Sequence, residues 1–358
     1  MRTKTKLIAA LLLCAAPALA QNAAPPAPGG APDAPARGRG AGRAMANPVP
    51  DIPMPAAPYH VENDWAKLPA GRQWGAYSAI DIDKDGKSVW IFERCGNLDD
   101  GCLLNKTVDP IMHFSADGRL LKSFGAGMFK YPHGIFIDND DHIWVVDGVT
   151  KTHVVGDTIR VFDQNGKLLK TMGTDGVRGS ATDTQNFNGV SDVLVAPDGS
   201  IFVADGHDPD SNSRVIKFDK NGKYLMQFGQ RGTGPADFNP PHGLAMDKEG
   251  RLYVADRGNR AVKRFDQNGK LLDVWTQFGA PSGVFVDKND ILYVADSTDR
   301  TGSGFSPGIR MAHVTDGKIF GNLAWPEQGT IEGVAVADDG TVYGGFTNIP
   351  GNHRFVKN

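Results

Sequence analysis

Pro132-His133-Gly134-Ile135 and Pro241-His242-Gly243-Leu244 are near copies of one phrase, and a third copy, Glu332-Gly333-Val334, carries an acid where the others carry imidazole. Two histidines and a glutamate on equivalent positions are a donor set for a catalytic zinc ion, provided the fold brings them to one point. The same phrase also opens at Ser78, Ser191 and Ser282. In chain order the series is Ser78, His133, Ser191, His242, Ser282, Glu332, so short hydroxyl side chains alternate with metal-competent ones. A single histidine in such a turn is ordinarily a hydrogen-bonded structural residue, and Glu332 alone would be a solvated acid. The alternation is what singles the set out.

The elements that must position these residues follow from the repeat. Each phrase opens an alternating apolar run, which leads through an Asp/Gly turn to a second run and then to a hairpin signal. Asp-Gln-Asn-Gly-Lys-Leu-Leu occurs at Asp163 and again at Asp266, with variants at Ser115 and Asp219. Six copies at the spacing of four-stranded units, with no long amphipathic helix, predict an all-β, six-bladed β-propeller of antiparallel blades around a central channel. The first strand of each blade lines that channel, which places even-numbered blades about 120° apart. His133, His242 and Glu332 are then the expected metal ligands. The sixth copy is one strand short, and a segment near Tyr59 to Glu62 is expected to complete it and close the ring.

A second recurrent set follows the second strand: Glu93, Asp147, Asp205, Asp256 and Asp296. Regularity of this kind indicates scaffold, because an acid there can accept turn N–H groups or pair with arginine. The next residue varies, and in Arg94 and Arg257 it is a cation that could grip a substrate carboxylate bidentately or form an ordinary salt bridge between blades. The remaining histidines, His60, His113, His142, His153, His313 and His353, are expected at the surface.

Taken in order, Pro132-His133-Gly-Ile, Ser191-Asp192-Val, Val203-Ala-Asp205-Gly206 with Asn212-Ser213-Arg214, Pro241-His242-Gly-Leu and Val254-Ala-Asp256-Arg257 resemble the NHL-type propeller of peptidyl-α-hydroxyglycine α-amidating lyase. The resemblance spans most of residues 75 to 345. It implies a zinc lyase (Zn2+ on three channel histidines) that cleaves a carbinolamide to an amide and glyoxylate. His133 and His242 match two ligands, and Glu332 falls where that family has its third. Gly333 falls where the family has an aspartate linked to a structural calcium, so no calcium is carried over. The family's catalytic tyrosine falls on His207, followed by an insertion, Asp208-Pro209-Asp210. His207 could act as a base or be a loop residue. Arg94 and Arg257 match the residues that hold substrate. The resulting expectation is an enzyme that breaks a C–N or C–O bond of a small-molecule or peptide substrate bearing a carboxylate. The alternative is a non-catalytic propeller that presents its rim to a peptide, protein or glycan. A calcium-dependent lactonase-like enzyme ranks last, because two histidines do not suit an oxygen-rich ligand set.

Composition narrows the class. Arg2, Lys4 and Lys6 precede an apolar run, Leu7–Leu13, and Ala18-Leu19-Ala20 precedes Gln21, which is the pattern of a cleaved export signal over residues 1–20. The run is too short to span a bilayer, and no later stretch is long enough. Residues 21–50 are Ala, Pro, Gly and Arg with little to pack, as in a tether, and residues 51–358 hold the propeller. Without residues 1–20, the chain's 38 basic residues fall to 35 against 41 acidic, net −6, the wrong sign for a protein that holds nucleic acid. Export to the periplasm or beyond makes Cys95 and Cys102 candidates for a local disulfide. The expected state is a monomer.

Overall fold

The computed structural model describes residues 52–98, 101–148, 156–297, 304–325 and 329–358. The expected signal segment, the tether and His153 lie outside these. Six four-stranded antiparallel sheets form the blades of a β-propeller, and among the described residues the helical content is one 3-10 turn, Gly101–Leu103. The inner strands are Ala79–Ile82, Pro132–Ile137, Val190–Val195, Pro241–Met246, Pro281–Val286 and Ile331–Val336 for blades one to six. In blade six the outer strand is Tyr59–Asn63, paired antiparallel with His353–Lys357. This is the ring closure expected from the short sixth repeat.

The recurrent hairpin phrase folds as its residues dictate. Asp163 Oδ1 accepts the N–H groups of Asn165 and Lys167 at 2.9 Å each, and Gly166 takes φ +81°, which a side chain disfavours. Asp219 and Asp266 repeat the arrangement. Apolar faces of neighbouring blades meet in six clusters, one per seam. Trp144, Val146 and Ile159 of blade two, for example, pack on Val193, Val203 and Ile216 of blade three. Burying each such side chain contributes about 1.5–3 kcal/mol. The seams, rather than any one blade, therefore hold the ring.

The five regular acids are the scaffold that their spacing indicated. All are buried. Asp147 Oδ1 accepts the N–H groups of Lys130 and Tyr131, Asp205 that of Asn188, and Asp256 that of Asn239. Each also pairs with a cation: Glu93 with Arg72, Asp147 with Arg160, Asp205 with Arg214, Asp256 with Lys263 and Asp296 with Arg310. They fix the loops that enter the inner strands, just ahead of the channel residues.

Candidate metal centre

Ser78, His133, Ser191, His242, Ser282 and Glu332 are all buried, and all line the central channel. Five of them lie in a register break at the start of an inner strand: Pro132/Gly134, Val190/Asp192, Pro241/Leu244, Pro281/Gly283 and Ile331/Gly333. A bulge re-aims a side chain that would otherwise follow the pleat, and here it turns each one toward the axis. The glycine after the histidine is required by the next blade. A Cβ on Gly134 would fall 2.8 Å from the Ser191 carbonyl oxygen, and one on Gly243 2.5 Å from that of Ser282.

The same carbonyls set the imidazoles. His133 Nδ1 donates to Ser191 O at 2.7 Å and His242 Nδ1 to Ser282 O at 3.2 Å. With the proton on Nδ1, Nε2 keeps a lone pair. In both residues that Nε2 is buried without a hydrogen-bond partner. Burial, reinforced by neighbouring imidazoles and guanidinium groups, holds both pKa values well below the ordinary histidine range, so both rings are neutral at neutral pH.

The third imidazole in the cluster is His207. The nitrogen donors of His133, His207 and His242 all lie within 4.8 Å of one another, with ring centroids 4.6, 4.9 and 5.2 Å apart. Nitrogens about 2.0–2.1 Å from a tetrahedral zinc sit roughly 3.3 Å apart, so side-chain rotations would close the triad on an ion. His207 sits two residues beyond the second strand of blade three, in the loop that carries the insertion. Ser211 Oγ accepts its N–H and that of Asp208 at 2.8 and 3.0 Å, folding the loop back on itself. His207 Nδ1 lies 3.0 Å from Asp208 Oδ1, and this contact holds the aspartate at a pKa of about 2. A carboxylate behind a histidine fixes its tautomer and ring orientation, as metal sites require. Neutral rings, two orphaned nitrogens and one carboxylate-backed histidine fit a divalent metal.

The expected donor set was His133, His242 and Glu332, with His207 as base. Glu332 lies beside the triad: its Oε2 is 4.0 Å from His242 Nε2, while its Oε1 pairs with Arg257 Nη1 at 3.1 Å. Arg257 Nη2 also approaches the His207 carbonyl at 3.5 Å. Arg94 is 2% exposed. Its Nη1 donates to Leu98 O at 3.0 Å, Nε reaches Pro132 O at 3.5 Å, and the guanidinium stacks on Tyr131 at 4.2 Å. The disulfide between Cys95 and Cys102 follows it directly. Two of the other histidines depart from their expected surface positions. His113 is buried against Trp90, and His353 is buried against Trp325 and Phe346. His60 and His313 are exposed. Residues of the inner strands line a central cavity of about 240 Å³ that includes His133, His242 and Glu332.

Comparison with known proteins agrees with this architecture. The DUF5128 family, described as a 6-bladed beta-propeller, matches residues 180–300. The chain is 30% identical over 221 residues to NHL repeat-containing protein 3 of Homo sapiens, covering 61% of this chain and 59% of that protein. It is 32% identical over 212 residues to a Caenorhabditis elegans protein named a probable peptidyl-α-hydroxyglycine α-amidating lyase, covering 54% and 56%. The chain thus spans between 55% and 59% of the length of these first curated relatives. Among solved structures, a gluconolactonase from Xanthomonas campestris superposes with a TM-score of 0.55 at 17% identity, over 86% of this chain and 98% of that one. That likeness is one of fold.

Proposed function

We propose that this propeller is an exported, metal-dependent lyase-like enzyme whose centre is held by His133, His207 and His242. The observation that carries the reading is the convergence of three imidazoles, two of which have a buried Nε2 with no hydrogen-bond partner. The similarity to a named α-amidating lyase supports the reaction class. When bound, zinc would supply the Lewis acidity to polarise a substrate hydroxyl or carbonyl oxygen. The chain supplies the rest. Ser191 O and Ser282 O hold His133 and His242 in the ligating tautomer, and Asp208 orients His207. With His207 in the cluster, Glu332 Oε2 lies beside it to take the substrate hydroxyl's proton as that oxygen becomes a carbonyl and the C–N or C–O bond breaks, and to hand the proton to the departing nitrogen or oxygen. Export is supported by the Cys95–Cys102 disulfide, which persists in oxidising compartments.

The test is metal analysis of purified residues 21–358, followed by assay of glyoxylate release from an α-hydroxyglycyl peptide. Stoichiometric zinc that disappears in His133→Ala and His242→Ala is the expected result. A metal-free protein with unchanged zinc affinity in both variants would sink the reading. The similarity to NHL repeat-containing protein 3 favours a second one, a non-catalytic binding propeller. That reading predicts no turnover with a filled site.

A further inference from the structure

The segment that leads into His133, Lys130-Tyr131-Pro132, is gripped from two blades. Blade two holds it with its own acid, because Asp147 Oδ1 accepts the Lys130 and Tyr131 N–H groups at 2.9 and 2.7 Å. Blade one grips the same three residues from the other side. Cys102 N–H donates to Lys130 O at 2.8 Å. The Arg94 guanidinium stacks on Tyr131 at 4.2 Å, and its Nε reaches Pro132 O at 3.5 Å. Gly101 lies so close that a Cβ there would fall 2.2 Å from Lys130 O. His133 follows inside the Pro132/Gly134 register break, so a shift of Pro132 would re-aim its ring.

The Cys95–Cys102 disulfide joins the two ends of the blade-one grip. Arg94 precedes Cys95, and its Nη1 donates to Leu98 O, inside the bridged loop, at 3.0 Å. Cys102 carries the N–H that holds Lys130. The bond links positions seven apart, so its constraint is local. Cys95 sits at φ +54°, a conformation uncommon for a residue with a side chain. Asn97 Nδ2 donates to Gly101 O at 2.9 Å and steadies the far end of the loop. Both cysteines are 1% exposed, so the bond serves geometry rather than thiol exchange.

We propose that this disulfide is a positioning element of the metal centre. It clamps Arg94 and residues 130–132 to each other and thereby keeps His133 Nε2 in the cluster with His207 and His242. The inference rests on the reading of that cluster as a metal site. Groups that orient a ligand without touching the ion commonly carry a measurable share of a site's affinity.

The test measures zinc affinity by equilibrium dialysis on the wild-type chain and on Cys95→Ser/Cys102→Ser. The absorption spectrum of the cobalt(II)-loaded protein reports ligand geometry alongside it. The double variant should bind zinc about tenfold more weakly and shift the cobalt bands. Gly101→Ala keeps both cysteines but pushes the loop off Lys130 O. It should weaken zinc in the same direction, and it guards against a double variant that fails to fold. Arg354→Ala, which breaks the Glu62 ion pair in blade six, should lower the metal-free Tm without changing either metal readout. Unchanged zinc affinity and cobalt spectrum in the double variant overturn the proposal. So does an equal loss in Arg354→Ala, which would trace the effect to stability alone. A wild-type chain that binds no zinc overturns the metal reading and the proposal with it.

Discussion

The channel contains two sets of buried or half-buried polar groups that differ in how they are paired. At one level stand His133 and His242, whose Nε2 atoms are buried without a partner. Elsewhere in the same channel stand Asp81 and Asp192. Asp81 accepts the N–H of Ile82 with one oxygen and that of Ile137, in the next blade, with the other, both at 2.8 Å. Asp192 accepts from Val193 at 2.9 Å and from Leu244 of blade four at 2.8 Å. A buried polar atom is normally satisfied. The aspartates obey that rule and staple blade to blade, while the histidines break it where a ligand would restore it. Pairing, rather than residue type or burial, separates scaffold from site.

Four experiments press on this contrast. The largest effect is expected from His133→Ala or His242→Ala, which should lower zinc affinity at least roughly 100-fold by equilibrium dialysis. Each substitution also removes a buried ring and the Nδ1 bond to Ser191 O or Ser282 O, so metal-free stability should fall by about 1–3 kcal/mol in calorimetry. Zinc affinity that does not change would place these histidines with the scaffold. Next, Asp208→Asn should weaken zinc binding about 10–100-fold in competition with a chelating dye, as the carboxylate that orients His207 is lost. Asp192→Ala should differ from the histidine variants in leaving zinc binding untouched. It leaves the Leu244 and Val193 N–H groups without their acceptor, costing about 1–3 kcal/mol in denaturant unfolding, with zinc content unaltered.

The last experiment reads a pH dependence. Burial, with Asp81 adding to it and the Leu244 and Val193 N–H groups opposing it, raises the Asp192 carboxyl to a pKa of about 7. The folded chain therefore holds this proton between about pH 4 and 7, where the unfolded chain has released it. The group's contribution falls as pH rises through that window. The Tm of the wild type relative to Asp192→Asn should decline from pH 5 to pH 8, and a flat difference would show that Asp192 is ionised throughout.

The blades, the ring of six channel residues and the completion of blade six by Tyr59–Asn63 were legible because they repeat. A phrase that recurs six times announces both its strand and its register. His207 was legible as a candidate by its place after Asp205-Gly206, but its convergence with His133 and His242 was not. It belongs to no repeat, and its position depends on the Asp208–Ser211 turn. Symmetry pointed to Glu332 as the third donor, because symmetry sees positions. The structure gives Glu332 a partner in Arg257, a contact between blades four and six that no local pattern encodes. The burial of His113 and His353 escaped for a related reason, since each is packed by aromatic residues and strands outside its own segment.

The pairing of Tyr59–Asn63 with His353–Lys357 also decides where the ring is weakest. The two strands meet across a sequence separation of 290 residues at Asn63 and His353. Closing so long a loop costs chain entropy that only the finished seam repays. Opening at this seam would uncover two hydrogen-bonding edges at once, which a protease or another copy could meet.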